Sequence, residues 1–178
     1  MLDPRRTSIA ALALSLAAWA TAGWTYLRVE GLEAEKRWAR NVEDLRISLE
    51  IVEPTNQSEA HGAELRIGGN VSVAHTRDAP SPDSVEQILT QSEIEIVPIA
   101  RALGYPTQWW VQMRPMVRPD GRFDGVVWVG EPNGVGVGLD FEIVVLAVPR
   151  GSLQKGETVA EIPLNYATSS PISVKRVS

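Results

Sequence analysis

The chain has 178 residues, no cysteine, and a formal net charge of −5 with a pI of about 5.1. An acidic chain lacks the basic surface that neutralises phosphates, which argues against nucleic-acid binding. The missing thiols exclude disulfides, thiolate metal sites and cysteine nucleophiles. Apolar residues make up 44%, enough to bury a core.

The first segment predicts a membrane helix. From Thr7 to Leu27 no residue is charged. About 20 helical residues at 1.5 Å each span roughly 30 Å, the hydrocarbon thickness of a bilayer. Leu12, Leu16 and Trp19 are its expected lipid-facing body, and Trp24 and Tyr26 its interfacial edge. Small residues dominate, and Ala13, Ala17 and Ala20 are the expected contacts for other membrane helices. Integral membrane subunits and lipid are therefore the expected partners. A cleavable signal peptide is the alternative, with Arg5 and Arg6 as its basic region and Ala20-Thr21-Ala22 as its cleavage site. The location expected is the inner membrane, crossed once. Arg28, Lys36, Arg37 and Arg40 lean the following domain towards the cytoplasm, while Arg5 and Arg6 pull the other way.

Residues 28–44 predict a juxtamembrane helical stalk. Glu33 and Arg37 form a favourable i,i+4 pair, and Trp38, Val42 and Leu45 make one narrow apolar stripe. Trp38 and Val42 are candidate interface residues, since an exposed tryptophan needs a surface to cover it.

Residues 45–178 predict a mainly β domain. Leu45, Ile47, Leu49 and Ile51 alternate with polar residues, the period of a strand. Thr55–Gly62 reads as a polar loop. Leu65–Ile67 and Val71–Val73 alternate again, with a bulge or bend expected at Gly68-Gly69. Residues 76–107 read as an insertion packed on the rest: a loop, then a short helix capped by Asp83 or Ser84 and running to about Ser92, then apolar residues of mixed period. Gln108–Arg114 predicts a strand in a hairpin with Phe123–Gly130, turning at Pro119-Asp120-Gly121. Leu139–Val148 is apolar at nearly every position, which predicts a central strand covered on both faces. Ile172, Val174 and Arg176 end the domain as a further strand.

The strand order Leu49-Glu50-Ile51, Leu65-Arg66-Ile67-Gly68-Gly69, Trp110-Val111-Gln112, Asp120-Gly121-Arg122-Phe123, Val127-Trp128-Val129-Gly130 and Gly138–Ile143 resembles bacterial Ig-like β-sandwich modules over residues 45–148. The resemblance implies an antiparallel sandwich serving as a scaffold or interaction domain.

The residues offer little chemistry. Gly134-Val-Gly-Val-Gly138 lacks the third glycine of a dinucleotide loop, which the motif needs one residue beyond Gly138, where Leu139 stands, and a strand rather than a helix follows. His61 and His75 show no ligand spacing, so no metal or cofactor is expected. Asp120 suits its turn and Asp124 a strand's alternation, and no nucleophile elbow is present. Trp109 and Trp110 must point to opposite faces of one strand, and either is a candidate interface residue. Arg114 and Trp128 are expected to stack across the hairpin. The function these features imply is a non-catalytic accessory or scaffold subunit of a membrane assembly, for which an energy-transducing complex, photosynthetic or respiratory, is one setting. The alternative is a membrane-tethered ligand- or glycan-binding module using Trp109 or Trp110.

Overall fold

A computed structural model of the chain describes residues 45–75, 84–104 and 108–178. The expected membrane helix (1–27) and stalk (28–44) lie outside the described residues. The domain is mainly β. Two sheets account for it: a four-stranded one in the order β1-β3-β7-β6, and a seven-stranded one in the order β2-β11-β8-β4-β5-β9 with β10 also on β8.

In the small sheet, β1 (Leu45–Glu53) pairs antiparallel with β3 (Glu64–His75), which pairs in turn with β7 (Arg122–Trp128). The alternation read from β1 and β3 is what one buried and one wet face requires: Leu49, Ile67 and Val71 are buried, while Glu50, Arg66 and Ser72 are exposed. The glycine pair does not break β3. The irregularity sits in β1, between Ile51 and Glu53, opposite Gly68 and Gly69. Gly69 is needed for a different reason: a Cβ there would strike the Glu50 carbonyl and the Phe123 ring. Turning at Pro119-Asp120-Gly121, β7 forms its hairpin with β6 (Met116–Val117), and not with the tryptophan strand.

That strand, β5 (Trp109–Val111), is three residues long and belongs to the large sheet, pairing with β4 (Ile94–Ala102). Gln112 marks the departure: its N–H still binds the Pro98 carbonyl of β4, and three residues later Pro115 stands beside Gly125 of β7. The chain therefore changes sheets between Val111 and Met116. The segment 76–107 is likewise not an insertion. It supplies α1 (Val85–Gln91), with Ser84 as N-cap in a full capping box with Gln87, and then β4. β4 pairs over nine residues with β8 (Asp140–Pro149), in the middle of the large sheet. Its apolar period is mixed because seven of its nine residues are buried, on both faces. Pro98 is tolerated mid-strand: its carbonyl accepts from Gln112, so its nitrogen faces the same side, where β5 has already ended.

β8 is central and covered on both faces, as its composition predicted. β11 (Ile172–Arg176) lies against it, and residues within the expected 55–62 loop form β2 (Ser58–Ala60), parallel to β11. Phe141, Ile143, Val145 and Ala147 face the small sheet, where β1 meets β8 and β4 meets β7. Val144, Leu146 and Val148 point the other way and form a second core with Val97, Ile99, Trp109, Val111 and Leu153. β9 (Thr158–Val159) lies beyond β5 at one edge, and β10 (Ala167–Thr168) lies on the far side of β8. Residues 160–166 join them as a strap. About seven extended residues reach roughly 23 Å, against about 19 Å for the four strand spacings from β9 to β10. In this strap Ile162 and Leu164 are exposed; the residues after β8 that join the outer core are Leu153 and the half-buried Val159.

Candidate functional site

The polar side chains inside the domain tie one element to another. Arg101 on β4 is bonded to Glu142 on β8 at 2.5–2.6 Å and lies over the Trp109 ring, 4.4 Å from its centroid. All three share the outer face of the large sheet. Trp109 is only 4% exposed, which removes it as a surface anchor. Trp110 points to the opposite face, as expected, and is half-buried.

Arg114 does not pair with Trp128. Its guanidinium grips Glu95 with two hydrogen bonds, at 2.6 and 2.8 Å, and donates to the Leu153 carbonyl. Glu95 also accepts the Gly151 N–H. The bond to Glu95 raises the Arg114 pKa further above its ordinary range. This network borders a cleft of about 300 Å³ between α1 and the 114–117 segment. Leu89, Ile94 and Ile96 make its floor, Glu86 and Arg150 stand at its sides, and Met116 is exposed at its mouth. The cleft has an apolar base and opposite charges on its walls.

Buried Gln112 bridges the two sheets. Its amide accepts the Trp128 N–H at 2.9 Å and donates to the Trp110 carbonyl at 3.2 Å. Buried Ser169, between β10 and β11, accepts the Val145 N–H.

The least expected residue is Arg176. It is 2% exposed, and its guanidinium donates to the carbonyls of Val129, Glu131 and Val135. The glycine run finds its explanation here. A Cβ at Gly130 would collide with the Arg176 guanidinium, and one at Gly136 would crowd the Phe141 ring. Both glycines have positive φ, so the loop wraps its carbonyls around a cation. The run cradles an arginine of its own chain. Only the unusual closing of a strand on an arginine hinted at this in the sequence.

The remaining candidates are local. Asp120 accepts from the N–H and guanidinium of Arg122, whose hydrogen bonds hold its carboxyl below the usual range, and Asp124 pairs with Arg118 at 2.6 Å. His61 Nδ1 is 3.5 Å from the Ser178 hydroxyl. No group of three or more metal-ligating side chains converges among the described residues, nor is any helix among them long and apolar enough to cross a membrane. Leu12, Leu16, Trp19, Trp24, Tyr26, Ala13, Ala17, Ala20, Trp38 and Val42 all lie outside the described residues. No protein-family model matches the chain, and no curated protein is significantly similar to it.

Proposed function

We propose that this protein is a membrane-anchored, non-catalytic accessory subunit that stabilises a larger membrane assembly, its β domain being a sandwich of the Ig-like kind. One observation carries the reading: an uncharged, small-residue-rich stretch, Thr7–Leu27, is joined to a domain whose inward polar groups brace its own strands. Small residues let helix backbones approach closely, which suits packing against other membrane helices better than immersion in lipid alone. The anchor would pack against integral subunits of an inner-membrane complex, energy-transducing complexes being one setting. The sandwich would brace neighbouring subunits on the side favoured by the charge tally, the cytoplasmic one. Tagged full-length protein, extracted in mild detergent and analysed by mass spectrometry, is expected to bring a stoichiometric integral membrane partner other than itself. The double change Ala13→Leu, Ala17→Leu is expected to release that partner while leaving the protein in the membrane. Recovery without any such partner counts against the reading.

A ligand- or glycan-binding role is the second reading. The half-buried Trp110 supports it; the enclosed Trp109 does not. Glycan binding that Trp110→Ala leaves unaltered would remove it.

A further inference from the structure

Sheet edges decide what a β domain can join, because an unpaired edge offers a row of free N–H and C=O groups. Among the described residues, the large sheet ends on stubs at both sides: β2 with three residues and β9 with two. The small sheet ends on the two-residue β6 at one side. Its other edge, β1, is nine residues long. Stubs are a common way to blunt an edge, and among the described strands β1 is the one edge left long.

The hydrogen-bonding direction of β1 follows from its neighbour. Val71 lies opposite Leu49 and donates its N–H to Gly121, away from β1. The 49/71 pair is therefore the non-hydrogen-bonded kind, and Leu49 directs its own N–H and C=O outward. By alternation Ile47 and Ile51 do the same. The inward row, Leu45, Ile47 and Ile51, is only half-buried, so it retains apolar surface to cover. On the outer face, Arg46 lies opposite Ala74 and Glu50 opposite Asn70, so neither charge has a charged partner across the strand pair.

We propose that β1 pairs antiparallel with β1 of a second copy, about a two-fold axis at Ser48. This register sets Arg46 against the partner's Glu50 twice on the outer face. It sets Ile47 against Leu49 and Leu45 against Ile51 on the inner face, and the outward-directed residues 45, 47, 49 and 51 meet as hydrogen-bonded pairs. Shifting the axis to Ile47 places Arg46 against Ser48. Shifting it to Leu49 places Arg46 against Val52. Charge pairing selects Ser48. The result is a continuous eight-stranded sheet across two copies, and the self-association is independent of any membrane partner.

The chain has no cysteine, so one introduced thiol reports on one position. On the axis, two Ser48 residues form a non-hydrogen-bonded pair with Cα atoms about 4.5 Å apart, within disulfide range. Ser72 is one strand further in on each copy, which puts its pair beyond about 12 Å. Full-length S48C in mild detergent is expected to oxidise to a disulfide dimer, and S72C to stay monomeric. By light scattering, R46E is expected to weaken dimerisation about tenfold by making two attractive pairs repulsive. The exchange R46E/E50R, which meets only Ala74 and Asn70 within its own copy, is expected to restore it. A monomeric protein, equal cross-linking of S48C and S72C, or an exchange that fails to restore the dimer would each overturn the proposal.

Discussion

The two sheets solve burial differently. In the small sheet each strand has one dry and one wet face, and the sequence alternates accordingly. In the large sheet β4 and β8 are dry on both: the small sheet covers one face, and the other carries a second core joined by Leu153 and Val159. A strand covered twice depends on two separate pieces of chain, so its side chains are the domain's most sensitive positions. The largest expected effect tests this directly. Leu146, fully enclosed in the outer core, should cost about 4 kcal/mol of stability when changed to Ala, measured by denaturant unfolding. Ile47→Ala in half-buried β1 should cost about 1 kcal/mol. Equal costs would break the distinction between the sheets.

A smaller effect sharpens it. Arg176 joins the large sheet to the loop that follows the small sheet's β7. Arg176→Met keeps much of the side-chain volume but withdraws donors from three carbonyls, for an expected loss of about 3 kcal/mol. Amide exchange should accelerate at residues 130–138 before it does in β3. Uniform acceleration would mean that the arginine supports the whole domain and not this loop.

The smallest effect is a pH dependence. Tyr166, at the end of the strap, has its pKa raised above its ordinary 10.0, first by burial and then by the nearby Glu93 carboxylate. Because the folded state disfavours the phenolate, the stability linked to this group is full below pH 10.0 and is lost as pH rises beyond it. Tyr166→Phe should flatten the decline of stability in that alkaline range, followed by thermal melts. An unchanged slope would assign the decline to other groups.

Legibility followed the same division. β1, β3, β8 and α1 could be read because each carries a local signal: alternation, an unbroken apolar run, or a Ser84 cap with Gln87 in place. β4 was concealed by its double burial, which erases the period of two. β2, β9 and β10 have two or three residues each, and only pairing with distant strands makes them strands. The switch between sheets after Val111 rests on Gln112, whose two amide contacts no local pattern encodes. The purpose of the glycine run depended on Arg176, some forty residues away.

The lateness of Arg176 has a consequence for how the domain comes into being. A ribosome adds roughly 5–20 residues each second, and early parts of a chain fold before late ones exist. β1, β3 and β7 can pair once Trp128 has emerged. The large sheet must wait: β2 has no neighbour until residues 174–176 arrive, and the outer core on β8 is incomplete until Leu153 and Val159 are made. For several seconds the nascent protein therefore presents a half-finished sheet with an oily back.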